Sequence, residues 1–211
     1  MSYAKSVATR ARLLDATARL IRRRGYHATG LAEIVSESGV PKGSLYHHFP
    51  GGKEELAVAG VRHGGVWIVG SVERRIDESG SVAAGVAAFC DHYVESLERT
   101  GYQAGCPVAT ITLEAASESD GIQQAVGSVF SGLVELITDR LRREGVHGAA
   151  ARSSAFATVS AIEGALIVAR ATRSTEAMET VRDQLVTQIE SLERNQMRRN
   201  QMRRNQMRRN P

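Results

Sequence analysis

The chain has 211 residues, of which 42% are hydrophobic and 24% are charged. This balance is that of a globular protein; it excludes extensive disorder, and the absence of a glycine repeat excludes a collagen-like fibre. Two cysteines, Cys90 and Cys106, are too few for a disulfide framework. Because no apolar run reaches the roughly 20 residues of a membrane span and no apolar segment follows the N-terminal charges, we expect a soluble, cytoplasmic, reduced protein.

Charge is distributed unevenly along the chain. Residues 1–50 carry eight basic and three acidic side chains, residues 51–193 carry twelve basic and twenty acidic ones, and residues 194–211 carry seven arginines and no acid. A basic head and a basic tail therefore flank an acidic body, which indicates a polyanionic partner at the basic ends or a chance asymmetry of the solvated surface.

The first fifty residues predict three helices. Residues 7–24 place Leu13, Thr17, Leu20 and Ile21 at helical spacing, and Gly25 provides a stop. Two short helices follow, LAEIVSES and approximately PKGSLYHHF, which meet across Gly39-Val40-Pro41. Thr29 is expected to cap the first of them and Pro41 to occupy the first turn of the second.

The remainder of the chain also predicts helices. The first, from Lys53 to about Ile76, contains four glycines, which indicate close packing, a bend, or a break near Gly64-Gly65. Helices are then expected over 82–99, 108–118 and 121–144. Residues 155–169 are apolar nearly all round, and residues 175–192 carry an amphipathic stripe, so these last two helices are expected to form a homodimer surface. The stripe comprises Met178, Val181, Leu185, Ile189 and Leu192.

The C-terminus consists of three copies of the pentapeptide QMRRN, at 196–200, 201–205 and 206–210. A five-residue period places methionine on no single helix face, so this segment is expected to be disordered. It either binds nucleic acid non-specifically through its arginines or has no function, and the second interpretation is favoured.

Residues 29–53 carry the arrangement of a helix-turn-helix DNA reader. The second short helix is small enough to enter a major groove, with phosphate or base contacts from its exposed residues, and the apolar residues Leu31, Ile34, Val35, Val40, Leu45 and Phe49 would hold the three helices together. The adjacent histidines 47 and 48 point about 100° apart on a helix, which makes a poor metal pair and favours DNA contact. The predicted DNA-binding residues are Thr29, Lys42, Gly43, Ser44, Tyr46, His47, His48 and Lys53.

The same segment resembles the DNA-binding domain of the TetR family of bacterial transcriptional regulators. The matching features are Thr29, Ile34, Gly39-Val40, Lys42-Gly43, Leu45-Tyr46, His48-Phe49 and Lys53-Glu54-Glu55-Leu56, within residues 9–56. Pro41, where a serine cap is common, and Val35, where a small residue is usual, are mild departures. The resemblance implies an all-α homodimer that releases its DNA when a small molecule binds.

More loosely, the rest of the chain resembles the LmrA/YxaF-like branch of that family. The similar features are Phe49-Pro50-Gly51-Gly52-Lys53, Gly105-Cys106-Pro107 before Leu113-Glu114, and Ile162-Glu163-Gly164-Ala165-Leu166. The branch says little about the ligand, so candidates for a pocket come from residue type alone. They are His63, Trp67, Phe89, Tyr93, Cys106, Phe130 and Glu163, for most of which a packed or exposed position is the alternative. Cys106 is either a redox or electrophile sensor or, as favoured, an inert buried thiol.

The sequence therefore predicts an all-α regulator with three parts: a helix-turn-helix domain over 1–52, a ligand-binding and dimerisation domain over 53–194, and the tail over 195–211. We expect a repressor that binds a palindromic operator in double-stranded DNA and is released by a small-molecule effector, without a cofactor or metal. The alternatives are a helical small-molecule sensor or carrier without specific DNA binding, and a non-specific nucleic-acid binder acting through its tail. The motifs of common enzyme classes do not occur.

Overall fold

The computed structural model describes residues 3–209, and within that range every regular element is a helix. The all-α prediction is confirmed. The helices are α1 (Tyr3–Arg24), α2 (Leu31–Ser38), α3 (Lys42–His48), α4 (Gly52–Ser79), α5 (Val82–Arg99), α6 (Pro107–Ala115), α7 (Asp120–Arg143), α8 (Ala149–Thr172) and α9 (Glu176–Arg209).

The helices form two compact units. The first unit comprises the chain up to Val69 together with Thr100–Ser131, and the second comprises Gly70–Arg99 together with the chain from Gly132 onwards. Two of the three boundaries fall inside helices, one within α4 and one within α7, and the third follows the end of α5. The domain boundary predicted between residues 52 and 53 does not coincide with a boundary of the compact units. The predicted division into functional domains stays a prediction.

Apolar residues of α1 form the base on which the short helices α2 and α3 pack. Leu13, Leu14, Ala16 and Leu20 belong to one buried cluster with Ile34, Val40, Leu45, Phe49 and Leu56. Thr17 and Ile21 are buried as well, so the predicted inward face of α1 is confirmed. Full burial of one such side chain contributes about 1.5–3 kcal/mol, so this cluster is the main source of stability for the three-helix arrangement.

The turns around α2 differ in part from the prediction. Gly25 (φ 86°) follows α1, and Gly39 (φ 60°) ends α2 in the left-handed region that glycine adopts without strain. The expected cap from Thr29 is wrong, because the residue before α2 is Gly30 and no side chain caps the helix. Pro41 lies one position outside α3 rather than in its first turn.

The glycines of α4 permit close packing rather than a break. The helix is continuous, so a break near Gly64-Gly65 is excluded. A methyl group at Gly60 would lie 3.1 Å from Thr17 Cγ2, and one at Gly65 would lie 2.3 Å from Val129 Cγ2. These glycines therefore let neighbouring helices of the first unit approach α4 more closely than alanine would.

In the second unit, α9 packs against α5 and α8. Met178, Leu185 and Ile189, which belong to the amphipathic stripe of the last helix, are buried within the chain itself. This stripe therefore belongs to the core of the subunit, and the expectation that the last two helices form a homodimer surface stays a prediction. On α8, Phe156, Ile167 and Val168 are each about half exposed.

Within the described range, α8 alone is long and apolar enough to cross a membrane, and only 33% of its most apolar window is buried. One such helix is weak support for a membrane span, since helices of soluble proteins pass the same test. The helix is longer than the sequence analysis predicted, with 24 residues rather than fifteen.

The C-terminal repeat continues α9 to Arg209, whereas the sequence predicts disorder. Glutamine, methionine and arginine are all good helix formers, and neither glycine nor proline interrupts the segment before Pro211. The ends of the repeat, Asn210 and Pro211, lie outside the described residues. The helix propensity of these residues therefore explains why the segment is helical, although its low-complexity sequence predicts disorder.

Gly85, in the second unit, has no space for a side chain. A methyl group there would lie 2.6 Å from Ile76 Cα, which is backbone and does not move aside. We expect Gly85→Ala to destabilise the fold by about 1–3 kcal/mol through overpacking, measured by urea unfolding. Gly127→Ala is the matched control: its nearest new neighbour is the flexible Gln123 amide at 3.9 Å. It should stabilise by about 0.4–1 kcal/mol. Equal stability of the two variants would contradict the packing assignment.

Two carboxyl groups meet where the packed part of α9 ends. Glu144 Oε1 accepts a hydrogen bond from Val82 N at 2.8 Å, and the side chain of Glu144 also hydrogen-bonds Glu193. Burial, this hydrogen bond and repulsion from Glu144 raise the pKa of Glu193 from its ordinary value of 4.5 to about 7. The folded chain therefore holds a proton that the unfolded chain releases between these two values.

Because Glu193 binds its proton more tightly in the folded chain, stability should fall as pH rises from about 4.5 to about 7. We expect Glu193→Gln to remove this part of the pH dependence and to raise the melting temperature at pH 8 relative to the unmodified chain. The exposed Glu98 on α5 provides the control, and Glu98→Gln should leave the profile unchanged. A Glu193→Gln profile parallel to that of the unmodified chain would refute the assignment.

Candidate nucleic-acid interface

One face of α3 is buried and the other is exposed. Leu45 and Phe49 are each only 1% exposed and face the cluster formed by α1. Lys42, Gly43, Tyr46 and His47 are exposed, and Ser44 and His48 are half-buried. The structure therefore brings six of the eight predicted DNA-binding residues together on one short helix, whose outer face is available to a partner.

The turn between α2 and α3 is held by Arg12, a residue that the sequence analysis counted only as a charge. Arg12 Nη2 donates to the carbonyl of Ser38 at 2.5 Å. The amide of Val40 donates to Ser38 Oγ at 3.3 Å. These contacts fix the chain on both sides of Gly39, so they determine the angle at which α3 leaves α2. No motif marks Arg12; its position on α1, facing the turn, becomes evident only from the fold.

Most arginines of α1 contact other residues of the first unit. The guanidinium of Arg10 lies 5.2 Å from the centre of the Phe49 ring. Arg19 pairs with Glu37 at 3.2 Å, and Arg24 pairs with Glu33. Such exposed pairs each contribute only about 0–1 kcal/mol, but they occupy the side chains. Both arginines of these pairs stay exposed, so the pairs balance part of the positive charge of α1 without removing the arginines from the surface.

The other two predicted DNA-binding residues hold the loop between α1 and α2. Thr29 is buried, and its Oγ1 donates to the carbonyl of Gly25 at 2.6 Å. Lys53 Nζ donates to the carbonyl of His27 at 3.3 Å and lies 4.4 Å from the centre of the Tyr26 ring. Thr29 is therefore a positioning residue in this structure, and the contact of Lys53 with DNA stays a prediction.

Helix α6 contacts the same loop through Glu114. Glu114 Oε2 accepts a hydrogen bond from the amide of His27 at 3.0 Å, and the carbonyl of Glu114 lies 3.1 Å from His27 Nε2. A methyl group at Gly25 would lie 1.8 Å from Glu114 Oε1. Arg22 adds a hydrogen bond to the carbonyl of Gly105 at 2.7 Å. The end of α1 and the loop after it are thus attached to α6 and to the segment before it through Glu114 and Gly105, which the sequence analysis cited only as features of the family resemblance.

Histidines do not form a metal site in the described part of the chain. His47 and His48 lie with their ring centres 5.3 Å apart and nearly perpendicular. His63 Nε2 lies 2.8 Å from Asp15 Oδ1 in an exposed pair. No group of three or more metal-binding side chains occurs among the described residues. The contact of His47 and His48 with DNA stays a prediction.

The seven candidate ligand residues divide between the two units. His63, Trp67, Cys106 and Phe130 belong to the first unit, where Trp67 is 55% exposed and Cys106 is buried. Phe89, Tyr93 and Glu163 belong to the second.

Phe89 and Glu163 line one cavity inside the second unit. The other lining residues are Val72, Val86, Leu133, Ile137, Thr158, Val159 and Ile162. Its volume is about 20 Å³, where one water needs about 10–15 Å³. Tyr93 stacks edge-on against Phe89, with ring centres 5.0 Å apart. The hydroxyl of Thr158 is buried without a hydrogen-bond partner in the described part of the chain. The wall is thus apolar with two polar groups, and the space is too small for an organic ligand in this conformation.

Both cysteines are free and buried. Burial raises the pKa of Cys90 to about 12, which keeps this thiol protonated and unreactive at neutral pH. Cys106 directly precedes α6 and is 4% exposed. The favoured interpretation of Cys106 as a buried thiol agrees with its position.

Two family sequence models match the chain. The model described as "Bacterial regulatory proteins, tetR family" matches residues 13–59. The model "Transcriptional regulator LmrA/YxaF-like, C-terminal domain" matches residues 82–184. The first contains α2 and α3, and the second contains most of the cavity wall.

Relatives and solved structures agree with these matches. The chain is 32% identical over 168 residues to the transcriptional regulator LmrA of Bacillus subtilis, covering 80% of this chain and 88% of LmrA. It is 33% identical over 181 residues to an HTH-type regulator of Mycobacterium tuberculosis H37Rv, covering 83% and 91%. The fold matches reduced NemR of E. coli with a TM-score of 0.72 and 23% identity, over 84% of this chain and 95% of that one.

A short helix with an exposed outer face, packed on α1, thus occurs in a chain whose sequence matches regulators over four-fifths of its length. These regulators are DNA-binding proteins rather than enzymes. The chain belongs to the TetR family of bacterial transcriptional regulators, in its LmrA/YxaF-like branch.

Proposed function

We propose that this regulator is a cytoplasmic repressor that binds a palindromic operator as a homodimer, through α3, and leaves it when a small molecule binds the second unit. The observation that carries the proposal is Gly43. Apart from its chain neighbours and the backbone of its own helix, no heavy atom in the described part of the chain lies within 4 Å of a methyl group placed at this position. Packing therefore does not require a glycine here, and glycine costs a helix about 1 kcal/mol relative to alanine.

An external partner explains a glycine that the fold does not need. Helix α3 has seven residues, which corresponds to about 10 Å, and the major groove of DNA is about 12 Å wide. Lys42 and Tyr46 lie on the exposed face beside Gly43 and offer a charge and a hydroxyl for phosphate, and Ser44, His47 and His48 offer hydrogen-bonding groups for phosphate or base edges. With no side chain at position 43, a DNA backbone approaches α3 closely between these groups.

The effector is expected to occupy the cavity beside Phe89, Thr158 and Glu163 after this cavity opens. Helix α4 connects the two units covalently, and its residue Val72 lines the cavity. A ligand that needs a wider cavity binds an opened conformation better than the present one. If the opened conformation holds DNA poorly, binding shifts the population away from the operator. The polar groups of Thr158 and Glu163 favour an apolar effector that carries a hydrogen-bonding group.

The homodimer is expected to form through the exposed face of α8. Phe156, Ile167 and Val168 are 51%, 51% and 49% exposed. The intervening positions Ser160 and Gly164 are small and exposed, so a second helix approaches closely. A second copy of this face buries these side chains and supplies the two-fold symmetry that a palindromic operator requires.

Gly43→Ala tests DNA reading separately from folding. Because a methyl group fits the folded chain, we expect unchanged or slightly raised stability, by up to about 1 kcal/mol. Footprinting on the chain's own upstream intergenic DNA, with competitor DNA at physiological salt, should show a two-fold symmetric site for the unmodified protein. Gly43→Ala should weaken that protection at least tenfold. Undiminished protection by Gly43→Ala would contradict the docking of α3, and Gly127→Ala serves as the control.

Phe156→Glu tests the dimer face. A carboxylate at the centre of an apolar interface is costly to bury, so sedimentation velocity should show a monomer where the unmodified protein is a dimer, and operator affinity should fall. Circular dichroism should remain unchanged because position 156 is exposed in the subunit. Leu113→Glu is the matched control, since Leu113 is 75% exposed on α6. A dimeric Phe156→Glu protein would exclude this face.

A further inference from the structure

Beyond Glu193, α9 leaves the core of its unit. The last buried residue of the helix is Ile189, and the side chains described from residue 194 onward are exposed or half-buried. Met197 and Met202 are 60% and 62% exposed. The helix nonetheless continues to Arg209, over sixteen residues from Arg194, or about 24 Å. None of the described side chains of this segment is buried, so those side chains add little to the core.

The repeat gives this segment no apolar face. Each residue advances an α-helix by about 100°, so equivalent positions in successive five-residue repeats lie about 140° apart. Three repeats therefore distribute their methionine and arginine positions around the whole circumference. A coiled-coil partner needs an apolar stripe of period 3.5, and the repeat has none. The extension is thus poorly suited to pack against another helix, whether of this chain or of a second copy.

Its charge suits a polyanion. Residues 194–211 hold seven arginines and no acid, which is about one positive charge per 3.4 Å of helix. Duplex DNA carries one negative charge per about 1.7 Å of its axis. Arg194 pairs with Glu190 at 3.1 Å, but the repeat itself contains no acid that would neutralise its arginines.

In the first unit, Arg19 and Arg24 of α1 pair with Glu37 and Glu33, so acids already balance part of the positive charge of α1. The arginines of the repeat have no such acid within their own segment. Non-specific affinity for DNA comes from lysine and arginine at phosphates. We propose that residues 194–209 form a second DNA-binding element, a cationic helix that binds the phosphate backbone of duplex DNA without sequence preference.

The test replaces the six arginines of the repeat by glutamine in the full chain, which preserves helix propensity while removing charge. The substitutions are Arg198→Gln, Arg199→Gln, Arg203→Gln, Arg204→Gln, Arg208→Gln and Arg209→Gln. Affinity is measured by fluorescence anisotropy on a 30-base-pair duplex that lacks the operator, between 50 and 200 mM salt. We expect at least a tenfold loss at 100 mM salt. The slope of log K against log salt should fall by roughly 0.9 for each phosphate contact removed.

Two controls make the result specific. Replacing the same six arginines by lysine should retain most of the affinity, because a phosphate backbone responds to charge. Replacing Met197 and Met202 by alanine should have no effect. Unchanged affinity and slope in the glutamine variant overturn the proposal, as does tighter binding of the extension to anionic phospholipid vesicles or single-stranded RNA than to duplex at equal phosphate concentration. Footprinting of the operator by the glutamine variant reports separately on α3, so failure of the two elements is distinguishable.

Discussion

The position of α3 depends on the burial of Leu45 and Phe49 against α1. Both side chains are almost fully buried in a cluster to which α1 contributes four residues. A seven-residue helix is far too short to be stable alone in water, so this packing both forms α3 and orients it. The exposed face, with Lys42, Gly43 and Tyr46, is a consequence of the buried one. Arg12 then fixes the turn on which the orientation depends.

Much of this arrangement is predictable because periodicity and turn residues are local. Gly39 and the spacing of Leu45 and Phe49 specify the helix pair, and the helix over 82–99 agrees with the sequence to the residue. Thr29 misled because a threonine before a helix resembles a cap, whereas its hydroxyl binds the carbonyl of Gly25. The stripe on α9 predicts burial correctly for Met178, Leu185 and Ile189, but an amphipathic pattern does not say against which surface a helix packs.

Charge was the least informative signal, because a count of arginines does not say which of them are already paired. Arg19 and Arg24 are bound to glutamates of α2, and Arg12 is bound to a backbone carbonyl. The repeat differs because its composition provides no acidic partner within reach along the helix. The candidate pocket residues were predicted from residue type alone, which does not indicate position in the fold. His63 and Trp67, for example, do not line the cavity of the second unit. Thr158, which does line it, carries no sequence signal.

Gly25 and Glu114 restrict each other during evolution. The positive φ of Gly25 already disfavours other residues, and the carboxylate of Glu114 occupies the space that any side chain at position 25 needs. A side chain at position 25 therefore requires the carboxylate of Glu114 to move aside or residue 114 to be shorter, and either change leaves the amide of His27 without its acceptor. Related chains should therefore show these two positions covarying as a pair, although they lie 89 positions apart in the sequence.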